Sequence, residues 1–215
     1  MGVFGQTWTW FTTSAQWHGE DGIPHRFVQH LGYTALTVVV AVAIAVPLGL
    51  WIGHTGRLRG LAVGLTGALR ALPTLGLLTL VVLWRGIGLT PPITALVVLA
   101  IPPLLAGAYA GVESVDRRTV DAARGIGMTE WQVLTRVEVP LGLPLLLGGL
   151  RSAVLQVVAT ATVAAYIGLG GLGRYVIDGV AIRDYPQMLG GSLVIVVLAL
   201  VLDGTFALLQ RLAPA

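Results

Sequence analysis

The sequence predicts an all-α, polytopic membrane protein with about five transmembrane helices. Three observations carry this. Of 215 residues, 55% are hydrophobic and 11% charged, whereas a soluble domain carries about 25% charged residues. The mean hydropathy is +0.85, so polar side chains are too few to cover a water-soluble globule. The third observation is the length of the uncharged runs, which match the roughly 20 residues a helix needs to cross the hydrocarbon core.

Those runs place the elements in order. Residues 27–56, 86–112, 152–173 and 185–202 contain no Asp, Glu, Lys or Arg, and 60–84 is interrupted only by Arg70. They predict helices near 31–52, 61–84, 91–112, 142–166 and 187–209. Residues 1–16 lack the basic and apolar regions of a signal peptide. Residues 1–30 read instead as an extracytoplasmic amphipathic segment, with Trp8, Trp10, Phe11 and Trp17 at the membrane interface. Pro47 and Pro73 read as kinks or packing features, since membrane helices tolerate proline.

Orientation follows from the basic residues, all 13 of which are arginine. With the N-terminus outside, the inner loops and tail hold Arg57, Arg59, Arg117, Arg118, Arg124, Arg136 and Arg211, and the outer segments hold Arg26, Arg85, Arg174 and Arg183. An excess of seven over four places the C-terminus inside. The domain layout is then the N-terminal segment 1–30, helices one to three over 31–112, a cytoplasmic loop over 113–140, and helices four and five with a short cytoplasmic tail over 141–215. The arginines form no stripe along one helix, so nucleic acid is excluded as a partner.

The cytoplasmic loop reads ESVDRRTVDAARGIGMTEWQVLTRVEVP. Asp116 can cap a first short helix, and Gly125 and Gly127 can end it. Thr129-Glu130-Trp131-Gln132 fits a capping box opening a second. Val120 and Ala123 share a face of the first helix; Trp131 and Leu134 share a face of the second. Read from composition, this is a solvated hairpin joining two spans.

The spacing gives it a sharper meaning. Asp121-Ala122-Ala123, three residues, Gly127, nine residues, then Val137-Glu138-Val139-Pro140 resembles the EAA loop of ABC importer permeases, with Asp for Glu and Val for Ile and Leu. The resemblance implies a type I ABC importer permease fold. It also implies that Asp121, Ala122, Ala123, Gly127, Val137 and Pro140 dock into a cytoplasmic ATPase and pass its motion to the membrane helices. HLGYTALTVVVAVAIAVPLGL (30–50), ALPTLGLLTLVVLWRGIG (71–88), residues 120–144, and GLRSAV with YIGLGGLG (149–173) are similar to permeases for osmoprotectants: glycine betaine, carnitine, choline and proline-type solutes. Methionine-importer permeases resemble the chain in length and helix count. The short TLGLLTLVVLWRGIGLTPP connection and LGGLRSAV favour the quaternary-amine type.

The resemblance implies partners: two copies of an ABC ATPase, a second permease (identical or paralogous) around a two-fold axis, membrane lipid, and an extracytoplasmic substrate-binding protein docking near 168–188 and the Trp-rich N-terminus. It implies no cofactor on this chain, with ATP and Mg on the partner ATPase. A quaternary ammonium cation suits aromatic faces, which makes Trp84, Tyr109 and Tyr166 candidates for the translocation path, with Thr160 and Thr162 as polar contacts.

Other features carry no chemistry. Gly168 to Gly173 fits G-x-G-x-x-G, but a dinucleotide site needs that motif between a strand and a helix. His18, His25, His30 and His54 read as solvated or interfacial, and no metal site is expected. Ser192 lacks a nucleophile-elbow context. Asp203 is the only acid inside a span, where an intramembrane aspartyl enzyme needs two; a membrane scaffold is the remaining alternative class. Arg70, Arg151 and Asp203 share a depth of about 12–13 Å from the inner end of their spans. Intramembrane charges pair or face a cavity, so Asp203 is expected to pair with Arg151 or Arg70.

Overall fold

The computed structural model describes residues 2–212, and among them all regular secondary structure is helical. Four helices are long and apolar enough to cross a membrane: Ile23–Thr55, Thr90–Glu113, Glu130–Ile167 and Tyr185–Leu212. The shorter helices Arg59–Arg70 and Thr74–Arg85 are together apolar enough for a broken span or a re-entrant loop, which makes the number of crossings four or five. In chain order the helices are α1 (Val3–Thr12), α2 (Ile23–Thr55), α3 (Arg59–Arg70), α4 (Thr74–Arg85), α5 (Thr90–Glu113), α6 (Arg117–Gly125), α7 (Glu130–Val133), α8 (Val139–Ala164), α9 (Gly173–Ile182) and α10 (Tyr185–Leu212).

Three expectations are corrected. The first span begins at Ile23 rather than near 31, because Pro24 falls in the first turn, where its missing N–H costs nothing. The expected helix 61–84 is two helices: Pro73 has no N–H and holds Leu72 out of the helical region, so α3 ends at Arg70 and Pro73 caps α4. The fourth span continues from the loop's second helix without an interruption, through a π-helical turn at Leu134–Glu138. The three residues after Leu212, at the end of the expected tail, lie outside the described residues.

The chain forms two compact units. One comprises Met1–Thr37, Leu72–Val97 and Leu155–Leu202. Its core has two clusters, one around Trp10, Ile23, Val158, Leu172, Tyr175 and Leu198 and one around Leu78, Ala95, Leu96, Ala161, Ala164 and Leu169. Trp10, expected at the membrane interface, is a core residue: its ring lies edge-on to Tyr175 at 5.4 Å and fills the space that Gly190 leaves. Of the four aromatics expected at the interface, Trp8 is largely exposed, Trp17 is half-exposed, and Phe11 packs partly buried against the Trp10 cluster. His30 is also fully buried, its Nε2 3.1 Å from the Val158 carbonyl.

The other unit comprises Val38–Ala71, Val98–Val154 and Asp203–Ala215. Here α5 and α8 meet backbone to backbone. A Cβ added at Gly142 would lie 2.5 Å from the Gly111 carbonyl, and one at Gly107 would lie 2.6 Å from the Gly149 Cα. Small residues let membrane helices approach this closely.

Candidate functional site

Residues 113–140 fold as the hairpin that their capping residues dictate. The Asp116 carboxylate accepts the Arg118 N–H at 2.9 Å and opens α6. Gly127, at φ +88°, turns the chain, which side chains with a Cβ rarely allow. At α7 the Thr129 hydroxyl accepts the Gln132 N–H, while the Thr129 N–H donates to the Gln132 side chain at 2.9 Å.

The hairpin has a buried and an open face. Val115, Val120, Ala123 and Val133 form a small core, with Met128 and Val137 packed against it. Asp121 and Ala122 face solvent, and so do Ile126 and Trp131, at 78% and 72% exposure. Trp131 therefore does not share a packed face with Leu134, which is half-buried, as is Pro140. The hairpin thus carries exposed apolar side chains over a small packed core.

Behind the open face runs a chain of polar contacts. Arg124 binds Glu130 through two parallel bonds, Nε to Oε1 at 3.0 Å and Nη2 to Oε2 at 2.9 Å. Glu130 Oε2 lies 3.1 Å from His54 Nε2, and His54 Nδ1 lies 2.5 Å from Glu138 Oε2. His54 belongs to the last turn of α2, and Glu138 closes the π-helical turn, where the Val139 N–H donates five residues back to the Leu134 carbonyl. Pro140 offers no N–H to the Arg136 carbonyl, and its ring crowds that carbonyl in a regular helix, so a widened turn just before it relieves the clash. A cavity of about 330 Å³ adjoins this chain, lined among others by Arg59, Tyr109, Glu113 and Arg117. His54, expected to be solvated or interfacial, is largely buried here, and the motifs that contain Glu130 and Glu138 give no sign of it; 84 residues separate His54 from Glu138, and such a contact leaves no spacing signal.

The intramembrane charges separate into one pair and one outlier. Arg151 donates Nε to Asp203 Oδ1 at 2.6 Å and Nη2 to Oδ2 at 2.7 Å, a bidentate fork. The Gln210 side chain extends it, accepting from Arg151 Nη1 at 3.2 Å and donating to the Pro144 carbonyl. Arg70, at the exposed end of α3, is not part of this group.

The candidate path residues are not gathered into one lining. Trp84 is exposed, with the Arg85 guanidinium 5.3 Å from its ring, and Tyr166 is exposed. Tyr109 is half-buried beside Arg59, 5.9 Å from its ring centre. Thr160 and Thr162 donate their hydroxyls to their own helix, to Gln156 and Val158 carbonyls at 2.8 and 3.1 Å. Among the described residues no group of three His, Asp or Glu side chains is placed to hold a metal ion.

Comparison with known proteins gives a consistent answer. The family described as binding-protein-dependent transport system inner membrane component matches residues 45–213. The carnitine transport permease protein OpuCB of Listeria monocytogenes is 34% identical over 187 residues, 86% of each chain. The osmoprotectant import permease protein OsmW of Salmonella typhimurium is 36% identical over 187 residues, 85% of this chain and 87% of the relative. Among solved structures, an inward-facing form of the MetNI methionine ABC transporter has a TM-score of 0.80 and 19% identity, covering 90% of this chain and 96% of that one, a likeness of fold.

Proposed function

Because the chain belongs to the family of binding-protein-dependent transport system inner membrane components, we propose that it is the permease subunit of an ATP-driven importer for osmoprotectants of the glycine betaine, carnitine and choline type. The observation that carries the substrate class is kinship over the greater part of both chains with permeases named for those solutes. ATP and Mg act on the partner ATPase, and this chain performs no hydrolysis.

The coupling part of the reading rests on the hairpin. Its open face presents Ala122, Ile126 and Trp131 on a scaffold held by Val120, Ala123 and Val133, which suits insertion into a groove of a second protein. Two such chains and two ATPases make a path that alternates between inward-open and outward-open, with the loop in the cytoplasm, the N-terminus outside and a binding protein delivering solute. Asp121, Gly127, Val137 and Pro140 belong to the same ATPase-coupling segment. Exposed aromatic faces at Trp84 and Tyr166 suit a cation without N–H donors.

Uptake of labelled glycine betaine and labelled methionine, with and without the gene, tests this. Loss of betaine uptake is expected, most clearly at high osmolarity. Loss of methionine uptake instead would overturn the substrate class and keep the permease. Gly127→Pro should abolish import while the protein still reaches the membrane; full import by that variant would overturn the coupling role.

A further inference from the structure

We infer that His54 is a positioning residue that locks the end of the first span to the coupling loop, so that α2 and the hairpin move as one piece when the ATPases close. This rests on the permease reading above and adds to it the route by which motion leaves the loop.

The geometry is specific. One imidazole spans two carboxylates from different parts of the hairpin, Glu130 at 3.1 Å and Glu138 at 2.5 Å, and Glu130 is itself gripped on both oxygens by Arg124 of α6. Each ring nitrogen of His54 faces its own carboxylate, Nε2 that of Glu130 and Nδ1 that of Glu138. The chain Arg124–Glu130–His54–Glu138 thus joins α6, the start of α7 and the π-helical turn to α2. Glu138 is 6% exposed and His54 12%, and a carboxylate withdrawn from water to that degree is costly unless a partner holds it.

Two neighbouring features give the link a mechanical purpose. The covalent path from the hairpin into α8 passes through the π-helical turn at Leu134–Glu138, a local widening where a helix yields. His54 bridges that point from the side. One turn is also fixed from below: a Cβ at Gly53 would lie 2.8 Å from the Val112 Cβ and 2.9 Å from the Tyr109 carbonyl, so the last turn of α2 is seated on α5. A push on the open face of the hairpin therefore reaches α2 and α5 through His54 as well as α8 through the chain.

The test uses the complex of permease, ATPase and binding protein in proteoliposomes, reading solute imported per ATP hydrolysed. His54→Ala and Glu138→Gln should each lower that ratio about tenfold while ATP hydrolysis stays within about twofold, and the double variant should be no worse than either single one. An unchanged ratio in His54→Ala would overturn the inference. The chain has no cysteine, so His54→Cys with Glu138→Cys supplies a unique pair. Bridging it with a short bifunctional thiol reagent should restore the ratio, and failure to restore it would also overturn the inference. A wild-type complex that imports none of the labelled osmoprotectants would overturn the permease reading, a result distinct from both.

Discussion

A methyl group added at Gly142 has nowhere to go, since its nearest neighbour is the Gly111 carbonyl. Gly142→Ala should therefore destabilise the protein by about 1–3 kcal/mol, the usual cost of overpacking a close contact. Gly204 is the control: no atom lies within 4 Å of a Cβ there, and Gly204→Ala in the same thermal unfolding assay in detergent should stabilise by about 0.5–1 kcal/mol. If both substitutions shift the melting temperature in the same direction, the packing account fails. Asp203→Asn should also lower the melting temperature, because it leaves the Arg151 guanidinium without its bidentate partner; the Arg151→Ala, Asp203→Asn double variant should lose less than the sum of the two. Tyr175 supplies a pH dependence. Burial pushes its phenol up to about 12, with Arg26 opposing and Asp21 adding to the shift, and its hydroxyl donates to the Asp21 carbonyl. A folded-state pKa above the unfolded value of about 10 means a stabilising contribution that is complete below pH 10 and is lost as pH rises towards 12. Tyr175→Phe should remove that slope from the alkaline limb of the unfolding curve.

At the scale of elements, the capping box holds the start of α7. Thr129→Ala removes a side-chain cap worth about 1 kcal/mol, so hydrogen exchange at residues 129–133 should quicken several-fold while α8 stays protected; unchanged exchange would mean that the cap is redundant. The hairpin was legible because its signals are local. Asp116, Gly127 and Thr129 each act within four residues, and the structure uses each where the sequence places it. The spans were legible for a similar reason, since uncharged runs of about 20 residues have one common solution in a bilayer. Pro73 reads in the sequence as a kink or a packing feature, and whether a single proline bends a helix or ends it is decided by packing that no local pattern records. The His54–Glu138 contact lay further out of reach, as did the burial of Trp10 and His30. Each depends on a partner more than 80 residues away.

At the scale of the molecule, the arginine excess makes an orientation that can be measured. In a chain without cysteine, Ile126→Cys and Trp17→Cys each create a single thiol on an exposed position. An impermeant maleimide added to intact cells should label the second and spare the first; the opposite result would invert the topology. The division of this apolar stretch into α3 and α4 has a consequence for how the protein is made. Two helices of 12 residues each cover only about 18 Å apiece, short of a hydrocarbon core of about 30 Å. Neither can be handed to lipid on its own as it leaves the ribosome. Leu78 of α4 finds its apolar partners at Ala95 and Leu96 of α5 and at Ala161 and Ala164 of α8, so this region cannot be completed until both of those later helices have been synthesised.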